Sequence, residues 1–384
     1  MKVDLTKILN KQQRKTILTW ILTPFSWAYG AGVWVRNFMF NNNIIFKSRN
    51  YDDRVAVVSV GNITVGGTGK TPHVEYIIEH LCRTYRTAVL SRGYKRRTTG
   101  FILATDAMGP RDIGDEPYQI YRKFNGLITL AVCESRRKGI ETLLDLRPDL
   151  QLILLDDGFQ HRFVKPKVNI VLMDYTRPPY EDQLLPLGTL REPMHRLLDS
   201  DMVVVTKCPA DLSPVTVSMI KRNLDLFPST ELFFSQVLYG EPRPVFPITQ
   251  PQLPSLRWLT PDDLVVCVTG VANPKPFALY LRTFPALVRV IHFDDHHEFT
   301  RRDFDFIFNE IDKYKDKKRR FIVTTEKDAV RILNNPYYPP KMQDMIYFVP
   351  IKVAFVDHEA GARDFVTELT HKIDEPSGSI NLTT

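Results

Sequence analysis

The chain has 384 residues, 43% of them apolar and 25% charged, with a formal net charge of +7. That length allows two ordinary domains with their own cores, and that composition excludes a disordered or low-complexity protein. Residues 1–54 hold nine Lys or Arg against three Asp, so nearly all of the excess charge lies at one end. Cys82, Cys133, Cys208 and Cys267 are too widely spaced for a C-x-x-C redox or zinc motif and read as reduced, buried thiols.

The first predicted element is apolar. Residues 16–35, TILTWILTPFSWAYGAGVWV, carry no charge, with Lys11, Arg14 and Lys15 before them and Arg36 after. About 20 residues is the length of a membrane span, but Pro24 is expected to break a helix near the middle of the run. Trp20, Trp27, Trp34, Phe25 and Tyr29 are residue types that favour the headgroup level. The expectation is two short helices lying in a membrane interface, within a membrane-associated segment over residues 1–50. A buried helical hairpin is the competing reading.

Short apolar runs then alternate with helical stretches. Strands are predicted over 55–60, 87–90, 127–132, 152–155, 168–173 and 202–205, which gives an α/β nucleotide-binding domain over 51–226 with a largely parallel sheet covered on both faces. The proline-rich stretch 227–262 reads as a linker or irregular crossing. A second, smaller α/β domain follows over 263–374, with strands over 264–268, 287–293, 321–324 and 345–349 and helices over 276–283 and 301–314. Residues 375–384 read as a flexible tail.

Chemistry-bearing residues concentrate after these strands. TVGGTGKT (Thr64, Val65, Gly66, Gly67, Thr68, Gly69, Lys70, Thr71) lies between a strand and a helix. Its glycines let backbone N–H groups fold around phosphate oxygens, and the helix aims its positive end at them. Lys70 would reach the β- and γ-phosphates and Thr71 would hold Mg2+, although Thr64 stands where the G-x-x-x-x-G-K-[ST] pattern has its first glycine. A phosphate loop needs a carboxylate at a neighbouring strand end, and LILLDDGFQH supplies Asp156 and Asp157. VVVTKCPAD approaches the guanine-reading [NT]-K-x-D but carries Pro209 in place of the Asp, which favours ATP; Lys207 reads as a solvated strand end.

Four further stretches stay ambiguous on their own. LSRGYKRR (90–97) suits an anionic substrate or a solvated surface. GPRDIGDEPYQ (109–119) sets Asp112, Asp115 and Glu116 before a helix, where capping is the ordinary role. PLGTLREP (186–193) places Arg191 and Glu192 between turn residues. FDDHHEFT (293–300) holds adjacent histidines that rarely reach one ion, so a His–Asp catalytic pair or a helix cap at Asp295 or Thr300 is expected.

In this order, VSVGNITVGGTGKTP, VLSRGYKR, GDEP, LDDGFQHR, PLGTLRE, VTGVANPKPF, FDDHHEFT and TTEKDAVR resemble the tetraacyldisaccharide 4′-kinase family of lipid A biosynthesis. The likeness runs from the N-terminal apolar segment to about residue 331, and threonine at position 64 is that family's habit. The resemblance implies a P-loop NTPase-like fold that moves the γ-phosphate of ATP to the 4′-hydroxyl of a tetraacyl glucosamine disaccharide 1-phosphate. It further implies a peripheral enzyme on the cytoplasmic face of the inner membrane.

By the same resemblance Asp115 is the catalytic base and His296 its partner. Lys70 acts on the phosphates, and Asp156, Asp157 and Glu192 join Thr71 in managing the metal. Tyr94, Gln160, His161 and Arg191 line the site. The implied cofactors are ATP and Mg2+, and the implied partners are the lipid substrate and a membrane surface, with no nucleic acid and no obligate protein partner. Because His296 falls in the second predicted domain and Asp115 in the first, closure of the domains is expected for chemistry. TTEKDAVR (324–331) reads as a nucleotide contact or a helix cap. A P-loop ATPase or GTPase switch and a non-catalytic membrane module are the alternatives; the altered guanine motif counts against the first and intact Lys70, Thr71, Asp156 and Asp157 against the second.

Overall fold

The structure is a computed structural model that describes residues 5–42, 44, 47–247, 255–356 and 364–376, with side chains from residue 19 onward. Residues 248–254 of the expected linker and 377–384 of the expected tail lie outside the described residues. In chain order the elements are α1 (Leu5–Asn41), β1 (Ala56–Asn62), α2 (Lys70–Leu81), β2 (Thr87–Ser91), β3 (Ile102–Leu103), α3 (Pro110–Ile113), α4 (Asp115–Phe124), β4 (Thr129–Val132), α5 (Arg136–Leu146), β5 (Leu152–Asp156), β6 (Val168–Asp174) and β7 (Met202–Thr206). They continue with α6 (Pro214–Leu224), β8 (Glu231–Tyr239), β9 (Arg243–Pro244), β10 (Asp263–Thr269), α7 (Lys275–Leu281), β11 (Leu287–His292), α8 (Arg301–Asp312), β12 (Arg319–Thr325), α9 (Glu326–Leu333), β13 (Ile346–Val349), β14 (Ile351–Phe355) and α10 (Phe365–Asp374).

These elements form two compact units that interleave along the chain. The first comprises Met1–Lys70, Gln151–Gln236 and Phe355–Thr384, and the second Thr71–Leu150 and Val237–Ala354. The expectation is consecutive domains over 51–226 and 263–374; here residues 71–150 group with the second unit and the end of the chain returns to the first. There Phe355 stacks on Phe365 of α10 with ring centroids 4.2 Å apart, and both rings meet Phe233 edge-on.

In the first unit, β8, β7, β6, β1 and β5 pair in that order, every pair parallel. The runs of Val, Ile and Leu in β7, β6, β1 and β5 are buried on both faces, as parallel strands covered by helices require. Val171, Met173, Val203, Val205 and Phe234 pack with Val217, Ile220 and Leu224 of α6 in one core. Parallel pairing brings the carboxyl ends of β1, β5, β6 and β7 to one edge, the place where open α/β sheets bind ligands. β8 corrects the expected linker over 227–262. Pro228 and Pro242 flank this nine-residue strand without interrupting it, so proline content misled where proline position would not have.

α1 is a second correction. Instead of two short helices it is one helix of 37 residues with Pro24 inside it. The Thr23 hydroxyl donates to the Thr19 carbonyl at 2.7 Å. Beyond the proline, Ser26 Oγ donates to Leu184 O (2.9 Å) and Tyr29 OH to Arg191 O (3.0 Å), so contacts with the rest of the unit hold the helix where sequence alone would end it. Among the described residues no helix is long and apolar enough to cross a membrane.

In the second unit, β2 and β4 are parallel with β3 antiparallel beside β4. A five-stranded sheet runs β11-β10-β12-β13-β9, parallel except for β9. Along β10, Leu264, Val266 and Val268 join the core beneath α8, while Val265 and Cys267 join Phe277 and Leu281 of α7 on the other face. This alternation covers both faces of the sheet.

Candidate active site

The first unit builds a phosphate loop around a buried asparagine. Asn62, the last residue of β1, donates through Nδ2 to Thr64 O at 2.9 Å and to Thr68 Oγ1 at 3.0 Å, tying the loop from within. Thr64 is buried and bridges Leu190 antiparallel; Val65 N donates to Thr189 O (2.7 Å) and Arg191 N to Ile63 O (2.7 Å). A threonine at this position is therefore no defect, because a paired, non-left-handed position suits a β-branched residue. Left-handed backbone falls instead at Gly66 (φ 103°) and Gly69 (φ 87°), where glycine is needed.

Side chains from neighbouring strands brace the loop. Thr206 Oγ1 donates to Thr68 O at 2.9 Å, and Lys207 Nζ donates to Gly67 O and to Asp174 Oδ2. Lys207, expected as a solvated strand end, is thus a loop support. Burial alone would raise the Asp174 carboxyl, but the Lys207 ammonium and the Thr176 bonds outweigh it and hold it below its ordinary value.

Lys70 opens α2 with Nζ 3.4 Å from Asn62 Oδ1 and 3.5 Å from Asp157 Oδ1. Asp157 has left-handed backbone (φ 56°), and its Oδ2 lies 4.0 Å from Arg191 Nη1, so two cations flank one carboxylate. The turn that carries it is seated directly on β1: a Cβ at Gly61 would come within 2.4 Å of Phe159 Cβ. Asp156 is buried at the end of β5, and His161 N donates to Gly158 O at 2.9 Å. Gln160 points a buried Nε2 that has no hydrogen-bond partner among the described residues.

Glu192 occupies a different setting from the metal role implied for it. Arg36 binds Oε1, Asn37 Nδ2 donates to Oε2 at 3.2 Å, and Arg196 Nε stands 3.8 Å from that oxygen. The buried carboxylate fastens α1 to the phosphate-loop side of the unit, and burial pulls the Arg196 guanidinium down to about 10. Among the described residues no group of three or more His, Cys, Asp or Glu is placed to hold a metal ion.

The second unit brings Asp115 and His296, the expected base and its partner, into contact. Gly114 (φ 95°) turns the chain so that Asp115 begins α4. Asp115 Oδ2 lies 3.5 Å from His296 Nδ1 and accepts from Arg331 Nε at 2.7 Å. Lys327 Nζ stands 3.1 Å from His296 Nε2 and 3.2 Å from Glu116 Oε1, and the Tyr94 ring meets the imidazole edge-on with centroids 5.5 Å apart. Burial alone would raise the Asp115 carboxyl, but the bonds from His296 and Arg331 outweigh it and hold it below its ordinary value. The neighbouring His297 bonds to Asp303 at 3.0 Å, and Thr300 caps α8 in a capping box with Asp303.

Both members of the pair belong to the second unit. Domain closure, expected when they were assigned to different domains, is not needed to bring them together. Sequence reading missed Asn62, Lys207, Lys327 and Arg331. The spacing of four between Lys327 and Arg331 was the available signal for the last two, since it sets both on one face of a helix that starts at a Thr-Glu boundary. TTEKDAVR in fact does two things: Thr325 caps α9, and the helix presents Lys327 and Arg331 to His296 and Asp115.

Residues 18–371 match the family described as LpxK, tetraacyldisaccharide-1-P 4′-kinase. The chain belongs to that family. A tetraacyldisaccharide 4′-kinase of Phocaeicola vulgatus is 43% identical over 340 residues, 88% of this chain and 91% of the relative. One from Porphyromonas gingivalis is 45% identical over 337 residues, 86% of this chain and 91% of the relative. In fold the chain is similar to LpxK from Aquifex aeolicus, solved in complex with ATP, with a TM-score of 0.67 and 24% identity across 93% of this chain and 99% of that one. The span matched to the kinase family includes the phosphate loop, the Asp156–Asp157 turn, Asp115, His296 and α9.

Proposed function

We infer that this chain catalyses the reaction for which its family is named, transfer of a phosphoryl group from ATP to the 4′-hydroxyl of a tetraacyl disaccharide 1-phosphate in lipid A biosynthesis. The observation that carries the mechanism is the Asp115–His296 contact, a carboxylate beside an imidazole and braced by two cations. A sugar hydroxyl is a poor nucleophile, so a carboxylate that accepts its proton as the O–P bond forms contributes to the rate. The glycine-rich loop and Lys70 cradle the triphosphate, and Lys70 and Arg191 offset charge on the transferring group. Tyr94 is assigned to the side of the Asp115–His296 pair, and Gln160 and His161 to the side of the phosphate loop.

The donor set fits Mg2+. This ion takes one or two carboxylates and completes its shell with phosphate oxygens and water, so it needs no preformed protein cage. Thr71 and the Asp156–Asp157 pair supply hard oxygen donors, and Mg2+ would neutralise phosphate charge there. Glu192 supports this region through Arg36 and Asn37 of α1. Removing divalent cations with a chelator should abolish transfer, added Mg2+ should restore it, and Asp157→Asn should raise the Mg2+ concentration required. Turnover that persists in chelator would exclude the metal from the reaction.

We further propose that α1 attaches the enzyme peripherally to its substrate's membrane, at the cytoplasmic face of the inner membrane. Trp20 (78% exposed), Trp27 (74%) and Trp34 (64%) recur every seven residues and point outward with Phe25 and Phe38, while Ser26, Val33, Asn37 and Phe40 are buried. An outward aromatic stripe beside a basic segment suits peripheral attachment to anionic lipid. Changing all three tryptophans to alanine leaves the buried face intact and should lower sedimentation with anionic vesicles by roughly tenfold or more, since each apolar side chain taken from water contributes about 1.5–3 kcal/mol. Undiminished sedimentation would place the attachment elsewhere.

A further inference from the structure

We propose that Lys327 and Arg331 of α9 are positioning residues for phosphoryl transfer, Arg331 aiming Oδ1 of Asp115 at the sugar hydroxyl and Lys327 fixing the ring of His296 behind it. The proposal rests on Asp115 as the base.

The geometry begins at a buried anchor. Asp328 is fully buried, and its Oδ2 accepts from Gly270 N (2.9 Å) and from the Thr325 hydroxyl (2.8 Å), which locks it to the end of β10 and to the cap of α9. Its Oδ1 accepts from Arg331 Nη1 at 2.9 Å, and the same nitrogen donates to Gly270 O at 3.2 Å. Arg331 thus has one side of its guanidinium fixed and presents Nε to Asp115. A planar fork held along one edge has little freedom at the other.

Arg331 Nε and His296 Nδ1 address the same oxygen, Oδ2 of Asp115, and among the described residues no donor is bonded to Oδ1. That asymmetry names the reacting atom. Oδ1 takes the hydroxyl proton as the sugar oxygen bonds to the γ-phosphorus and the bond to ADP breaks; the proton then leaves to solvent.

Lys327 fixes the imidazole from its far side. Its Nζ lies 3.1 Å from Nε2 and Arg331 Nη2 lies 3.0 Å from Nδ1, so a cation meets each ring nitrogen and the imidazole is held at both edges beside Asp115. Lys327 is itself placed by Glu116 Oε1 at 3.2 Å and Asp295 Oδ1 at 3.7 Å. The groups around the pair are therefore Arg331 from α9 on Asp115, and Lys327, Arg331, Asp295 and Tyr94 on His296.

The test uses the full chain in detergent micelles with Mg-ATP and the tetraacyl disaccharide 1-phosphate. Arg331→Ala and Lys327→Met should each lower kcat about 10²-fold while KM for ATP stays nearly unchanged, the expected cost of a base displaced by about 1 Å. Lys327→Arg should recover much of the loss, since arginine keeps a cation at the Nε2 edge, whereas Arg331→Lys should recover little without the fork. The acid limb of kcat should move to higher pH in both Arg331 variants, because the cation that holds Asp115 ionised is weakened or gone. Turnover within about threefold of the parent, or a loss confined to thermal stability with an unmoved acid limb, would overturn the proposal. Should Arg331→Ala fail to fold with Asp328 left unpaired, Lys327→Met at its more exposed position carries the test. An inactive Asp115→Ala beside near-normal Arg331→Ala and Lys327→Met removes only the positioning role, while a near-normal Asp115→Ala removes the base itself.

Discussion

Lys70→Ala will lower kcat by about 10²–10³ and weaken ATP binding together, the expected result of removing one preorganised cation from a transferring phosphoryl group. The effect should be large because Lys70 is set in place before ATP arrives. Its ammonium rests 3.4 Å from Asn62 Oδ1 and 3.5 Å from Asp157 Oδ1, and Asn62 is itself committed to Thr64 and Thr68. Fixed charge of this kind acts without reorganising during the reaction, unlike a mobile surface lysine. Lys70→Arg keeps the charge but should recover little, since a planar guanidinium does not fit a seat shaped for a compact ammonium. Initial rates over a matrix of ATP and lipid concentrations, with direct ATP-binding titrations, separate the two effects. ATP affinity and kcat both near the parent values would mean that the loop amides and Arg191 bind the phosphates without it.

Much of the fold was legible because parallel strands buried on both faces must be continuous apolar runs, and β1, β5, β6, β7 and β10 are such runs. β8 was not, since its half-buried pattern sits among prolines, and α1 was misread as two pieces because tertiary contacts at Ser26 and Tyr29 outweigh the local effect of Pro24. The phosphate loop could be read from residue types alone, whereas its supports could not. Asn62, Thr206 and Lys207 are ordinary strand-end residues until pairing brings the carboxyl ends of β1 and β7 to one edge. Asp115 and His296 are 181 residues apart and came from the family resemblance; nothing in either local stretch says that they meet. Arg331 was hidden for a further reason, because its role depends on Asp328, which reads locally as an N-terminal helix residue and nothing more.

Asp115→Ala should cut kcat by about 10²–10⁴ with little change in ATP affinity, the signature of a lost proton acceptor. ATP affinity is expected to hold because Asp115 is bonded to His296 and Arg331 and acts on the acceptor hydroxyl. Asp115→Asn tests the same role more narrowly: it preserves shape and one acceptor oxygen but cannot take the proton, so it should be nearly as slow as alanine. The pH dependence follows from the ionised form being the active one. His296 and Arg331 hold the carboxyl below its ordinary value against the effect of burial, so the parent enzyme should keep its base deprotonated well into the acid range, and kcat should fall only as pH drops through that lowered value. In Asp115→Ala this limb should vanish from the profile of whatever residual activity remains. A variant that turned over normally and kept the acid limb would transfer the base role to another carboxylate. Asp157 is then the first candidate, since it lies beside Lys70 and Arg191.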